Sequence, residues 1–246
     1  MDQDSNPQDS ADLQSLMQAE QAKYSQVRER KPLYGFGKRQ VQWLSARDNN
    51  FTRSFFDALR SADIMTALDV GCGGGTVMDL VKDHVQVQGV DIYPDAPNQR
   101  PDLRIHHMNA ASLEFDDDSF DIVYHLDGME HIPAELERCV LREEFRVARR
   151  LVFHEIALVL AAGDRALLAE GKPPLHTNLK PPDEWRRVID PIAEKAGFSL
   201  KLTYLEAMPV LGEGLRSTLG NIVRRLRGGR IGRLCLVYER APTRQP

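Results

Sequence analysis

Residues 67–75 read ALDVGCGGG, an apolar run that includes one acid and is followed by four glycines in five positions. Glycine has no Cβ, so it adopts positive φ and lets main-chain N–H groups approach a ligand closely. A helix that begins near Thr76 would direct its positive end toward the same place. The stretch therefore predicts a buried strand that turns into a ligand-binding loop.

A second apolar stretch, residues 85–90, leads directly into Asp91. Doubly wound nucleotide-binding folds place an acid at this point, where it hydrogen-bonds a ribose. Strand, glycine loop, helix, strand and acid in this order fit two cofactors, a dinucleotide or S-adenosylmethionine. The dinucleotide fingerprint has its third glycine where this chain has Thr76, which disfavours NAD and FAD.

The same residues resemble the first motif of class I S-adenosylmethionine-dependent methyltransferases, and the resemblance continues downstream. After a predicted third strand at 103–107, Asn109 and Ala110 stand where the small-molecule methyltransferase family carries an acid against the adenine. Residues 113–132 are similar to the family's fourth-strand region. The resemblance covers about residues 66–156 and implies an α/β Rossmann-like fold. That fold has a seven-stranded sheet, helices on both faces and an antiparallel last strand.

The resemblance, together with the positions of the strand ends, implies a set of cofactor contacts. They are Asp69, Gly71, Cys72, Gly73, Asp91, Ile92, Asn109, Ala110 and His125. Asp69 and the glycines would face the amino-acid part of the cofactor, and Asp91 its ribose. Asn109 would offer its carbonyl oxygen to the adenine amine.

The candidate catalytic residues are Glu130 and His131, which follow the fourth predicted strand. Methyl transfer from a sulfonium requires mainly alignment in a water-poor pocket, but an oxygen nucleophile must also lose its proton to a base or a metal. An imidazole titrates near neutral pH, although His131 could instead pack the start of the next segment. Asp127, Glu130 and His131 could also bind a divalent ion, as in some family members. The short Asp127 side chain argues against this, and no metal is expected.

Composition narrows the class of protein. The chain has 246 residues with 32 basic and 36 acidic side chains, so no global field points to nucleic acid or membrane. Its three cysteines are far apart, which indicates a reducing compartment rather than a disulfide framework. The first thirty residues are too polar for a signal peptide or a membrane span. These features predict a cytoplasmic protein, and the resemblance implies a small-molecule partner.

The chain divides into a short N-terminal extension and one domain. Residues 1–30 predict a disordered tail and a helix, and residues 31–246 the methyltransferase domain, with insertions at about 157–182 and 208–232. Residues 31–47 are either a lid or a crossing at the edge of the fold. The basic cluster at 224–230 is either a phosphate site or a solvated helix end.

The sequence thus predicts transfer of a methyl group from S-adenosylmethionine to a small molecule, foremost at oxygen, with nitrogen and carbon as competitors. Methylation of RNA or protein is the alternative that the arginine cluster would support. A non-catalytic cofactor-binding subunit and an NAD-linked oxidoreductase are the alternatives from other classes.

Overall fold

The computed structural model describes residues 49–93, 100–207 and 231–241, together with four scattered positions between 15 and 22. Those four positions are helical, in agreement with the predicted N-terminal helix. The predicted tail, the segment 31–47 and the basic cluster at 224–230 lie outside the described residues. Within the described part of the chain, the helices are all too short or too polar to cross a membrane.

Helices and strands alternate through most of the chain. The helices are α1 (Asn50–Leu59), α2 (Thr76–Val81), α3 (Glu137–Val147), α4 (Ala162–Ala169) and α5 (Pro182–Lys195). The strands are β1 (Thr66–Val70), β2 (Gln86–Asp91), β3 (Ile105–His107), β4 (Phe120–Leu126), β5 (Ala148–Ala157), β6 (Phe198–Ala207) and β7 (Ile231–Arg240). A single 3-10 turn, Met129–His131, follows β4.

All seven strands form one sheet in the order β3-β2-β1-β4-β5-β7-β6. The strands from β1 to β5 pair in parallel, whereas β7 runs antiparallel to both β5 and β6. The predicted seven-stranded sheet with an antiparallel last strand is therefore confirmed. Because the carboxyl ends of β1, β2, β4 and β5 meet at one edge, the loops that follow them are brought together there.

An aromatic face attaches α1 to the sheet, as its spacing predicts. Asn49 caps the helix through its side-chain oxygen, which accepts from the Thr52 N–H at 2.8 Å. Phe55 is fully buried, and its ring lies 5.3 Å from that of Tyr124 and 5.2 Å from that of Phe153, edge to face.

The opposite face of the sheet packs against α3 and α5, whose apolar side chains join one large core cluster. Trp185 is fully buried there and secures α5, as expected. Residues 133–149 open with a proline suited to a first helical turn and predict one helix. The observed helix α3 is shorter, because the first of these residues form a turn in which the Leu136 N–H donates to the Pro133 carbonyl. At its other end, Ala148 is already extended and begins β5.

Candidate functional site

The glycine loop after β1 presents bare backbone to open space. Gly71, Gly73 and Gly75 have φ values of 68°, 52° and 71°, in the left-handed region that favours glycine. A Cβ added at Gly73 would have no atom of the described residues within 4 Å, whereas one at Gly75 would lie 2.4 Å from Leu103. Gly75 is therefore required for packing, and Gly73 leaves room for a ligand beside the main chain.

Asp91 holds this loop against the end of β2. One carboxylate oxygen accepts from the Gly73 N–H at 2.7 Å and the other from the Tyr93 N–H at 2.8 Å. Each oxygen has a further lone pair, so the carboxylate can still accept from a pair of hydroxyl groups. The loop and the predicted ribose acid thus form one unit.

Buried acid and thiol groups lie beneath the loop. Burial raises the pKa of Asp69 well above its usual value, with Tyr124 opposing this and Asp91 adding to it. Burial also raises the pKa of Cys72, as do Asp69 and Asp91. The Cys72 side chain is therefore a neutral thiol that fills space rather than a nucleophile.

Asn109 offers a buried donor in addition to the carbonyl oxygen of its predicted contact, which stays a prediction. Its side-chain oxygen accepts from the Ala111 N–H at 3.0 Å, while its amide nitrogen is buried without a hydrogen-bond partner among the described residues. The unsatisfied group is hence a donor, which suits a ring nitrogen better than an exocyclic amine. The neighbouring contacts predicted at Ile92 and Ala110 are half-buried, and the Ile92 carbonyl accepts from the His107 ring at 3.0 Å.

His125 is buried directly below the loop. A Cβ at Gly71 would lie 3.2 Å from its Nε2, and one at Gly128 only 2.0 Å away. On the other side of the ring, Nδ1 bonds Glu144 at 2.6 Å, and Glu144 also bonds His154 at 2.8 Å. His125 therefore supports the glycine loop from beneath, and its direct contact with the cofactor stays a prediction.

The two predicted catalytic residues lie in the turn after β4 and have contrasting environments. Glu130 is fully buried, and neither of its carboxylate oxygens has a well-formed hydrogen bond among the described residues. Burial raises the pKa of Glu130 well above its usual value, and Asp127 adds to this effect. His131 is half-buried, and its Nδ1 lies 3.1 Å from the Leu175 carbonyl oxygen.

The group of side chains assembled around Glu130 is not the one expected from the sequence. Asp127 forms an ion pair with Arg233 at 3.0 Å, and Arg233 also contacts Glu155. His176, from the loop after α4, lies with Glu130 and His131 so that one ligand atom from each falls within 4.8 Å of the others. Beside Glu130 and His131 the structure thus places His176, whereas the metal-binding alternative that the sequence disfavoured had Asp127 as its third residue.

Sequence reasoning missed His176 as a site residue because it lies 45 positions after His131 with no motif around it. Sequence reasoning also missed Gly128, where glycine is required because the ring of His125 occupies the place of a Cβ. Gly89 is a third case, because a Cβ there would lie 2.6 Å from the sulfur of Cys72. The need for glycine at both positions comes from close packing with distant side chains, which no local sequence pattern indicates.

Comparison with known proteins agrees with this geometry. Residues 67–150 match the family model described as a methyltransferase domain. Over 207 residues the chain is 24% identical to an uncharacterized protein of Haemophilus influenzae, an alignment that covers 74% of this chain and 76% of that one.

Two solved structures have a similar fold. The first is a SAM dependent methyltransferase from Archaeoglobus fulgidus, at a TM-score of 0.54 and 17% identity, covering 76% of this chain and 90% of that chain. The second is magnesium protoporphyrin IX methyltransferase from Synechocystis with bound SAH. Its TM-score is 0.52 at 18% identity, and the match covers 84% of this chain and 82% of that chain.

Family match, sheet order and loop geometry agree with one another and with the motifs of the sequence. Residues 67–150 carry the family match, and the complete seven-stranded sheet surrounds them. Residues 67–150 therefore match a methyltransferase domain, and the fold around them is one that solved S-adenosylmethionine-dependent methyltransferases share.

Proposed function

We propose that this protein transfers a methyl group from S-adenosylmethionine to a small-molecule acceptor, foremost at an oxygen atom. The observation that carries the proposal is the open backbone face at Gly73, attached by hydrogen bond to the Asp91 carboxylate. A side chain at Gly73 would fill that space, and the carboxylate would bind the two hydroxyls of a ribose. The buried amide of Asn109 gives a third point at which a purine ring would satisfy an otherwise unpaired donor.

When bound, the cofactor supplies an electrophilic methyl group on its sulfonium. The residues of the chain then have to position the acceptor, exclude water and remove the proton of the acceptor group. Glu130 and His131 follow the end of β4, beside β1 in the sheet, and are the candidates for this role. Because the pKa of Glu130 is raised, its carboxyl can hold a proton at a pH where an exposed glutamate would not.

A small acceptor is favoured over RNA by the charge of the molecule. The net formal charge is −4, and nucleic-acid binding depends on cationic surfaces that pair with phosphates. The basic cluster at 224–230, the one sequence feature that would support RNA, lies outside the described residues. The Synechocystis relative, named for a porphyrin substrate, is an example of a small-molecule methyltransferase with this fold.

Cofactor identity is tested by calorimetry with S-adenosylhomocysteine and, in parallel, with NAD. We expect one site per chain for S-adenosylhomocysteine and none for NAD. Binding of NAD without a signal from S-adenosylhomocysteine would refute the proposal in favour of an oxidoreductase. Binding of S-adenosylhomocysteine without methyl transfer to any acceptor would favour the non-catalytic subunit.

Acceptor class is tested by methyl transfer from labelled S-adenosylmethionine to a panel of small hydroxylated compounds, with amines and RNA assayed alongside. We expect transfer to a hydroxylated small molecule and none to RNA. In that assay, His131→Ala is expected to lower kcat by about 10²-fold or more, with little change in the affinity for the cofactor. An unchanged kcat would make His131 a packing residue.

A further inference from the structure

Three side chains that come from two separate segments meet beside the end of β4. Glu130 and His131 belong to the turn Met129–His131, while His176 belongs to the loop that joins α4 to α5. The Thr177 and Asn178 N–H groups both donate to the Glu130 carbonyl, at 3.1 Å and 3.0 Å. The loop is thereby hydrogen-bonded to the backbone of the turn, which brings His176 opposite Glu130.

Acceptor groups orient both imidazoles. His176 Nδ1 lies 3.1 Å from a carboxylate oxygen of Asp164, and its Nε2 lies 3.9 Å from Glu130. His131 Nδ1 lies 3.1 Å from the Leu175 carbonyl. In His131, therefore, a proton on Nδ1 is the favoured tautomer, and Nε2 is the nitrogen that can bind a metal. The contact of His176 with Asp164 is at ion-pair distance but is not a well-aligned hydrogen bond, so it places the ring without fixing its tautomer.

Asp164 is itself fixed in place. Its carboxylate accepts from the Ala161, Leu175 and His176 N–H groups at 2.8, 2.7 and 3.2 Å. Three N–H donors of this kind stabilise the anionic form of the Asp164 carboxylate. A carboxylate that orients a histidine in this way is the usual support for a metal-binding imidazole.

Glu130 provides the independent evidence for a ligand. Its side chain is fully buried, yet neither carboxylate oxygen has a well-formed hydrogen bond among the described residues. A buried carboxylate without such bonds is costly unless a cation compensates it. Arg233 makes its direct ion pairs with Asp127 and Glu155, so its interaction with Glu130 is only the longer-range electrostatic one.

From this arrangement we infer that Glu130, His131 and His176 form a binding site for a divalent transition-metal ion, with Asp164 as the residue that positions His176. Two imidazoles and one carboxylate suit ions such as Zn²⁺, Fe²⁺ or Mn²⁺, whereas Mg²⁺ and Ca²⁺ prefer all-oxygen ligands. Ligands bound at about 2.0–2.2 Å lie at most about 4.4 Å apart, so the present separations of up to 4.8 Å need only a small contraction.

Such an ion would give the acceptor hydroxyl a Lewis acid that lowers its pKa, in place of the proton removal assigned above to His131. That role rests on the proposed function, whereas metal binding does not. The two are therefore measured separately, with metal binding as the test of the site.

The test is a titration of the chelator-treated full chain with Co²⁺, followed by its visible absorption, and with Zn²⁺ by calorimetry. We expect one ion per chain, with visible bands typical of nitrogen ligands. Glu130→Gln and His176→Gln should each weaken binding by about 100-fold or more. Asp164→Asn should weaken it by about 10- to 100-fold, the effect of losing a residue that orients a ligand.

His84→Gln is the matched control, because this imidazole is exposed beyond the end of α2, and its affinity for Co²⁺ should be unchanged. Binding of S-adenosylhomocysteine by each variant shows that it has folded, and if His176→Gln fails this check, Glu130→Gln decides. A chain that binds no Co²⁺ or Zn²⁺ would overturn the inference. The inference would also be overturned if His84→Gln lost as much affinity for Co²⁺ as the site variants, or if Glu130→Gln bound Co²⁺ as tightly as the wild type.

Discussion

Gly73 and Gly197 share a backbone conformation but have different neighbours along the chain. Their φ values are 52° and 81°, and a Cβ at either position would have no atom of the described part of the chain within 4 Å. Gly197 follows α5, far along the chain from the glycine loop, whereas Gly73 donates its N–H to Asp91. Substituting both glycines therefore distinguishes the strain of a positive φ, which both variants share, from the obstruction of a ligand, which is expected only at Gly73.

We expect Gly73→Val and Gly197→Val to cost similar stability, about 1–3 kcal/mol, because both force a branched residue into the left-handed region. Gly73→Val should also weaken S-adenosylhomocysteine binding by about 100-fold or more, while Gly197→Val leaves it unchanged. Calorimetry measures the affinities and urea unfolding the stabilities. Equal affinities for the two variants would refute the placement of the cofactor beside Gly73.

At the scale of elements, Glu144 attaches α3 to two strands of the sheet. It is fully buried and bonds His125 of β4 at 2.6 Å and His154 of β5 at 2.8 Å. Burial would raise the pKa of Glu144, but the two imidazoles lower it to about 2. His125 lies under Gly71, so this contact also connects the helix to the glycine loop.

The lowered pKa makes a prediction about acid stability. A carboxyl whose pKa falls on folding stabilises the native state above its unfolded pKa, near 4.5, and this contribution is lost as the pH falls toward about 2. The shift corresponds to about 3 kcal/mol at neutral pH. Glu144→Gln should therefore be less stable by that order at pH 7 and should lose less stability between pH 5 and pH 3.

Urea midpoints across this pH range measure the effect, with Glu194→Gln as the control because Glu194 is exposed on α5. The control should follow the wild-type curve. If Glu144→Gln and the wild type lost stability in parallel as the pH fell, the anionic contact with the two histidines would not be the cause.

At the scale of the whole molecule, one continuous sheet joins the strands beside the glycine loop to the C-terminal strands. β4 pairs with β5, and β5 pairs with β7 along seven registered positions. Hydrogen bonds and core side chains therefore extend across the sheet, so the domain should unfold in a single transition.

S-adenosylhomocysteine should accordingly raise the unfolding temperature of the entire domain. At 100 times its Kd a ligand adds about 2.7 kcal/mol, which is about 5–10 °C for a domain of this size. Differential scanning calorimetry measures the shift, and Gly73→Val, with its affinity about 100-fold weaker, should shift by only about 1–2 °C at the same ligand concentration. Two separate transitions, of which only one moves with ligand, would contradict the single cooperative unit.

Local pattern was sufficient for most of the sheet and for the glycine loop. Strand β1 and Gly73 follow from apolar runs and from conformations that glycine alone adopts readily, and these are properties of short segments. Element ends were less accurate: the helix over 133–149 begins at Glu137, because the residues before it close a turn instead.

The amino-acid sequence by itself determined the order of strands and helices, the glycine loop at residues 71–75 and the position of Asp91 after β2, because each is written in consecutive residues. Only the tertiary structure decided that His176 joins Glu130 and His131, that Asp127 pairs with Arg233, and that Gly128 must make room for His125. These contacts join residues whose proximity depends on how strands and loops pack. Pair contacts of this kind leave no periodic signal along the chain.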